Sequence, residues 1–319
     1  MLKMRFFAAM LPVAAMVVGA GVVSGQDYPN KTIRIFTAAA GGGADFNARQ
    51  MALALGNMGQ PVVVENRASG ALAAQAAFQS PHDGYALNVS GSSLWTFTLL
   101  YPASYDAVRD FSPITQIVRE ISVLAVHPSV PVKSVKALIA LAKSRPGEIN
   151  YASTGIGGPQ QLGTELFKSM AGVNIVHVPY KGTAPSVTAV IAGEAQMTIN
   201  DIGVIMPHDK AGKLRALAVT SANQTVLAPG LVTVAESGLP GYELTGLTAL
   251  FSPGKPPAAI LSRLNREAVR YLNRADVKEL YLKNGVEVVG STPEEFAALI
   301  KADLAKWSKV IKDAGIKVN

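Results

Sequence analysis

The sequence predicts an α/β protein built as two lobes, each a mostly parallel sheet flanked by helices. Strand-like and helix-like segments alternate from Tyr28 onward, which is the pattern of βα units in a parallel sheet. Two such series of similar size follow each other, and from Pro256 onward the chain continues as helices without new strands. With 319 residues, of which 49% are hydrophobic, the chain can form two medium-sized domains with buried cores.

The first βα series occupies residues 32–90. Its first helix is predicted from Phe46, Met51 and Leu55, which keep helical spacing after a run of three glycines. The predicted elements are a strand at 32–37, a helix at 44–57, a strand at 61–65, a helix at 71–79 and a strand at 85–90.

The second series occupies residues 132–220. Pro159 suits the first turn of one of its helices, because the proline ring has no N–H to leave unpaired there. Two further apolar segments, 121–126 and 245–251, are candidates for strands that cross between the lobes. The other predicted elements are helices at 132–144, 159–171 and 184–192, and strands at 149–153, 175–178, 195–200 and 214–220.

The last helix has clear local signals. Thr292 is a candidate N-cap, Pro293 fits the first helical position, and Glu295 completes a Thr-x-x-Glu capping box. Gly315 fits the C-terminal stop. The apolar residues form one stripe that we interpret as core, with Trp307 as a packing residue: Phe296, Ile300, Leu304, Trp307, Ile311 and Ala314.

The N-terminal segment 1–25 resembles a secretory signal peptide. Lys3 and Arg5 form a short basic region, an apolar stretch follows at 6–23, and compact residues at 23–25 precede Gln26. The alternative is a membrane anchor, since the apolar stretch approaches the length of a bilayer span. The signal peptide predicts export to the periplasm.

Composition and motifs exclude several classes of function. The chain has no cysteine, and its four histidines do not have metal-ligand spacing. The net charge of +7 comes from scattered residues, which is not the pattern of a nucleic-acid-binding surface. No P-loop or GxSxG motif occurs, and the glycines at 155–158 do not complete a dinucleotide fingerprint. We therefore expect a binding protein without a cofactor or a metal, and an enzyme only as an alternative.

Three turns rich in glycine or serine, at 38–45, 90–93 and 153–158, each follow a predicted strand. The first and third open into helices, whose N-terminal N–H groups bind anions. Ligands of parallel sheets lie beyond the carboxyl ends of the strands, so the turns could face each other across a cleft. The alternative is that these glycines only make tight turns.

The mature chain resembles the Bug family, the solute-binding proteins of tripartite tricarboxylate transporters. The resemblance covers nearly the whole mature chain in order, so it is specific. Its motifs are YPNKTIRI at 28–35, GGGAD at 41–45, GQPVVVENR at 59–67, DGY at 83–85, YD at 105–106, DFSP at 110–113, NYAS at 150–153, VPYKG at 178–182, GKLRALAVT at 212–220, VTVAE at 232–236 and GSTPEEF at 290–296.

This resemblance implies a two-lobed, type II periplasmic-binding-protein fold that closes on a carboxylated solute. One lobe would comprise residues 26–122 and 246–319, and the other residues 123–245. The partner would be the membrane permease of a tripartite tricarboxylate transporter, and the protein would act as a monomer. A periplasmic sensor of the same fold without its own transporter is the alternative.

The resemblance also implies the ligand-binding residues, and the departures from it concern the choice of ligand. Alanines at 38–40 replace a proline and an aromatic residue, and Gln161 replaces a histidine. Asn200, followed by Asp201, replaces an aspartate. Trp95 is expected to supply an apolar wall of the cleft, and the alternative is that Trp95 is buried in its own lobe. The candidate ligand-binding residues are Ala39, Ala40, Gly42, Gly43, Ala44, Ser92, Ser93, Trp95, Ser153, Thr154, Gly155, Gly157, Gln160, Thr183, Asn200 and Asp201.

Overall fold

The computed structural model describes residues 28–156 and 158–316. The predicted signal peptide at 1–25 and the candidate Gly157 lie outside the described residues. Within the described ranges, no helix has both the length and the apolar character to cross a membrane.

Strands and helices alternate along most of the described chain. The strands are β1 Ile33–Thr37, β2 Val62–Asn66, β3 Ala86–Gly91, β4 Phe111–Val126, β5 Asn150–Ser153, β6 Val176–Pro179, β7 Met197–Asp201, β8 Arg215–Val219, β9 Thr245–Pro253 and β10 Glu287–Val288. The helices are α1 Gly43–Gly56, α2 Gly70–Phe78, α3 Ser93–Thr96, α4 Val135–Ser144, α5 Pro159–Ala171, α6 Thr183–Ile191, α7 Ile202–Lys210, α8 Ala258–Leu272, α9 Ala275–Lys283 and α10 Pro293–Asp313.

The strands form two sheet regions joined by the long strand β4. In the first region β1 pairs in parallel with β2 and β3, and β9 lies antiparallel between β3 and β4. In the second region β5 pairs in parallel with β6 and β7, and both β7 and β8 run antiparallel to β4. The strand order is β2-β1-β3-β9-β4-β7-β5-β6.

The partners of β4 change at one point. Ile121 pairs with Thr245 of β9, and the next residue, Ser122, pairs with Asp201 of β7. Beside this point lies Thr220, whose buried hydroxyl oxygen is 2.9 Å from the Ser122 carbonyl and 2.7 Å from the Leu244 carbonyl. The Thr220 N–H also donates to the Ser122 carbonyl, and the Leu244 N–H donates to the Thr220 carbonyl, both at 2.9 Å. Thr220 therefore joins the backbone segments that connect the two regions.

Each sheet region is covered by helices on both faces. In β1, Ile33 and Ile35 face a cluster with residues of α1 and α8, whereas Phe36 faces a cluster with residues of α2 and α10, as strand alternation requires. The second region has two corresponding clusters, one around Tyr151 and Phe167 and one with residues of α6 and α7.

Helix α10 packs against both sheet regions. Phe296 and Ile300, near its start, belong to the cluster that contains Trp95 of the first region. Trp307 and Val310, near its end, belong to the cluster around Phe167 of the second region. The helix begins with the predicted capping box, in which Thr292 Oγ1 accepts from the Glu295 N–H and Glu295 Oε2 accepts from the Thr292 N–H.

The mixed α/β fold predicted from the sequence is confirmed, and α5 has the predicted bounds. The helix predicted at 132–144 begins only at Val135, because the Ser134 hydroxyl accepts from the Ala137 N–H and caps it. The C-terminal part does contain a further strand, the short β10, contrary to expectation. Helix α7 and the first part of β4 were not predicted.

Candidate ligand-binding cleft

A cleft of about 1120 Å³ lies at the carboxyl ends of the parallel strands, where β4 passes from one sheet region to the other. Both regions contribute to its walls. The first contributes Gly43, Ala44, Gly91, Ser92, Ser93, Glu120, Ile121, Gly246, Leu247, Thr248 and residues 282–286; the second contributes Pro159, residues 201–204, Met206, Pro207, Lys210 and Leu227.

The first wall is the turn between β1 and α1. Ala39, Ala40, Gly42 and Gly43 are exposed, and Gly41 has φ +84°, a conformation that favours glycine. Gly42 is the N-cap and offers no side chain, so the first N–H groups of the helix, at Gly43 and Ala44, have no partner within it. These N–H groups and the positive end of the helix dipole are available to an anion.

Asp45 fixes the shape of this turn. Its carboxylate accepts from the Gly41 N–H (3.0 Å) and from Asn66 Nδ2 (2.8 Å), and Arg49 forms an ion pair with it. Asn66 Nδ2 also donates to the Ala38 carbonyl at 2.7 Å. Burial alone would raise the pKa of Asp45, but the hydrogen bonds from Arg49, Gly41 and Asn66 outweigh it and hold the pKa at about 2.

The second turn, after β3, contributes Ser92 and Ser93 to the cleft but not Trp95. Trp95 is 0% exposed, its Nε1 donates to Asp303 of α10 at 2.9 Å, and its ring packs against Phe251 and Phe296. The prediction that Trp95 forms an apolar wall of the cleft is therefore wrong. The short helix α3 turns this side chain into the core, where its N–H finds a partner.

The third turn, between β5 and α5, is held by side-chain hydrogen bonds. Thr154 is half-buried and its hydroxyl donates to Gln160 Oε1 at 2.7 Å. Ser153 is fully buried, and its hydroxyl oxygen accepts from the Gly155 N–H at 3.2 Å and lies 2.6 Å from His177 Nε2. Ser153 and the nearly buried Gln160 therefore support the turn from behind, while Pro159, at the start of α5, lines the cleft.

The end of β7 separates two candidate residues. Asn200 is fully buried; its Nδ2 donates to Ser186 Oγ (3.2 Å) and its Oδ1 accepts from the Asp201 N–H (3.0 Å). The buried Asn200 lies behind the cleft surface, which corrects its expected place in the wall. Asp201 lines the cleft directly. Thr183, at the start of α6, is half-buried, and its carbonyl accepts from Ser186 Oγ.

Glu120 lines the cleft and was not predicted from the sequence. Its Oε1 accepts from the Thr248 hydroxyl at 2.8 Å, and burial raises the pKa of its carboxyl group above the ordinary value. Burial also raises the pKa of Asp201. The available signal was that Glu120 is the single acidic residue in the sequence of β4.

The chemistry of the cleft is that of a binding site. The N-termini of α1, α5 and α7 line the same cavity, and those of α1 and α5, from different sheet regions, suit a carboxylate or a similar anion. Within the described ranges, no group of three or more His, Cys, Asp or Glu side chains could hold a metal ion.

Comparison with known proteins identifies the family to which this chain belongs. The sequence profile described as tripartite tricarboxylate transporter family receptor (TctC) matches residues 47–316. BugT of Bordetella pertussis is 32% identical over 306 residues, covering 94% of both chains. The chain belongs to the TctC family. The resemblance to Bug proteins is thereby confirmed, and the family consists of solute receptors and not of enzymes.

TctC proteins of known structure share the fold. An R. palustris protein solved with adipate is 34% identical, with a TM-score of 0.76, over 91% of this chain and 99% of its own. MatC from Rhodopseudomonas palustris, solved with malate, is 26% identical, with a TM-score of 0.71, over 89% of this chain and 100% of its own. The periplasmic binding protein BugD is 27% identical, with a TM-score of 0.72, over 91% of this chain and 99% of its own.

Proposed function

We propose that this TctC protein captures a small organic acid in the cleft and delivers it to the membrane permease of a tripartite tricarboxylate transporter. The observation that carries the proposal is the arrangement of α1 and α5, whose N-termini reach one cavity from opposite sheet regions. TctC relatives solved with adipate and with malate support a carboxylate as the ligand class.

The ligand carboxylate would be held mainly by neutral groups. On one side are the N–H groups of Gly43 and Ala44, on the exposed turn that includes Ala39, Ala40 and Gly42. On the other side would be the turn of Thr154 and Gly155, supported by Ser153 and Gln160. Gly157, which lies outside the described residues, stays a sequence-based candidate. Ser92 and Ser93 would add hydroxyl groups. The proposed ligand-binding set also includes Thr183 and Asp201, which would contact parts of the ligand other than this carboxylate.

Ligand capture would involve movement of two lobes, residues 26–122 with 246–319 and residues 123–245. The change of β4 partners between Ile121 and Ser122 is next to the proposed boundary and supports it. Thr220 joins the segments that would act as the hinge. The signal-peptide pattern at 1–25 and the periplasmic relatives support a periplasmic location, in which the protein would act as a monomer.

A panel of mono-, di- and tricarboxylates, aliphatic and aromatic, in a thermal-shift assay tests the binding step. A true ligand at one hundred times its dissociation constant should stabilise the folded protein by about 2.7 kcal/mol. The stabilisation should persist in moderate salt, because short hydrogen bonds in the cleft are screened less than exposed charges. Failure of every acid in the panel to raise the melting temperature would contradict the proposal.

The alternative function is a periplasmic sensor without its own transporter. Uptake of the identified acid by cells that lack the gene separates the two functions. Loss of uptake, restored by the wild-type gene, supports the transport role, whereas normal uptake with a lost transcriptional response supports the sensor.

A further inference from the structure

The floor of the cleft carries two carboxyl groups, Glu120 on β4 and Asp201 at the end of β7. Asp201 pairs with Ser122, and Glu120 is two residues before Ser122 on the same strand. Residues two apart on a strand share a face, so the two acidic residues are diagonal neighbours on one face of the sheet, with their α-carbons about 7–8 Å apart. The negative charge of Asp201 disfavours ionisation of Glu120, in agreement with this proximity.

Neither carboxyl group has a cationic partner among the residues that the structure describes. Glu120 receives one hydrogen bond, from the Thr248 hydroxyl to Oε1. Its Oε2 lies against Gly246, where a β-carbon would come within 2.8 Å of it. Partly desolvated carboxylates without a counter-charge are costly, so a donor supplied from the cleft would stabilise them.

In the described ranges, neither of the two lysines that line the cleft forms an ion pair with Glu120 or Asp201. Lys210 is the last residue of α7, and Asp201 immediately precedes that helix, so their α-carbons lie about 13 Å apart along its axis. Lys283 has a side chain that is 71% exposed and forms an ion pair with Glu279. Neither lysine therefore supplies a counter-charge to the two carboxyl groups of the floor.

From this distribution of charge, we infer that the preferred ligand is an amino-substituted monocarboxylate, with its carboxylate at the α1 and α5 N-termini and its ammonium group between Glu120 and Asp201. The inference rests on the proposed function, since it assumes that a carboxylate binds at the helix N-termini. A second carboxylate at the floor would meet two groups of like charge, which disfavours dicarboxylates of the same length.

Sets of acids that differ only at the far end test this inference. We would compare ε-aminocaproate, adipate and hexanoate, and likewise γ-aminobutyrate, succinate and butyrate, by calorimetric titration of the full mature chain. In at least one set, the amino acid should bind about tenfold or more tightly than the dicarboxylate, as expected for hydrogen bonds between charged groups. Equal or tighter binding of the dicarboxylate in both sets would overturn the inference.

Substitution at the floor adds a second measurement. Glu120→Gln and Asp201→Asn keep the side-chain shape and remove the charge, so each should lose the preference for the amino acid and gain affinity for the dicarboxylate. Glu148→Gln, at an exposed glutamate before β5, is the matched control and should leave the preference unchanged. An unchanged preference in both floor variants also overturns the inference. Absence of binding by every acid to the wild type would instead contradict the proposed function itself.

Discussion

Replacement of Thr154 by valine tests the α5 side of the proposed carboxylate site. Valine has nearly the shape of threonine but has no hydroxyl group, so the turn keeps its packing and loses one hydrogen bond. In the structure this hydroxyl donates to Gln160 Oε1 at 2.7 Å. Because a hydroxyl has a single proton, a bound carboxylate can receive it only when the bond to Gln160 breaks.

This exchange sets the size of the expected effect. A neutral hydrogen bond contributes about 1 kcal/mol, and a hydrogen bond to a charged group contributes about 1.5–3 kcal/mol. When the ligand binds, the Thr154 hydroxyl gains a hydrogen bond to the charged carboxylate and loses the neutral one to Gln160. Thr154→Val should therefore reduce the binding free energy by the difference between the two bonds, about 0.5–2 kcal/mol. The dissociation constant should therefore rise by about two- to thirtyfold.

Isothermal titration with the acid that the panel identifies would measure this change. Thr188→Val is the matched control, because Thr188 is exposed on α6 and its hydroxyl is not part of the proposed site. Melting curves of the free proteins should show that both variants fold. If Thr154→Val binds the acid as tightly as Thr188→Val and the wild type, the carboxylate does not lie at this turn.

Two further predictions follow from buried side chains. Trp95→Ala should lower the free energy of unfolding by about 3–5 kcal/mol, measured by urea denaturation, because the ring is 0% exposed; a change in ligand preference without lost stability would contradict the core position. In the folded protein the pKa of Asp45 is about 2, below its ordinary value of 3.8. The contribution of its carboxylate to the free energy of unfolding is therefore present above pH 4 and is lost as the pH falls towards 2. Asp45→Asn should therefore lower the free energy of unfolding by about 2 kcal/mol at pH 7 and by much less near pH 2. An equal decrease at both pH values would refute the stabilising role of the carboxylate.

Elements with local signals could be predicted from the sequence. Helix α5 has a proline at its first position and a left-handed glycine, Gly172, at its C-cap. Helix α10 has a capping box and an apolar stripe, although the stripe ends at Ile311 because Ala314 is exposed. Such signals depend on residues within one or two turns of each other, so no tertiary contact was needed to read them.

Features that depend on distant residues could not be predicted. Trp95 lies after a strand in a polar turn, which suggested a cleft wall, but its partner Asp303 is 208 residues away in the chain. The role of Glu120 depends on Asp201, Thr248 and Gly246, which reach it only through strand pairing. Patterns along the sequence identified which turns are rich in glycine, but not which side chains face the cavity.

The position of β9 has a consequence for the order in which the chain can fold. Strands β1 to β4 are complete once residue 126 has been synthesised, but β3 and β4 pair through β9, which begins at Thr245. Strands β5 to β8 of the second sheet region all come from the continuous stretch of chain between β4 and β9. The edges of β3 and β4 that β9 will join stay unpaired while this stretch is made, and they are open to wrong pairing with other chains. The region that is first in the sequence is therefore the last to be closed, and a chain truncated before Thr245 should be prone to aggregation.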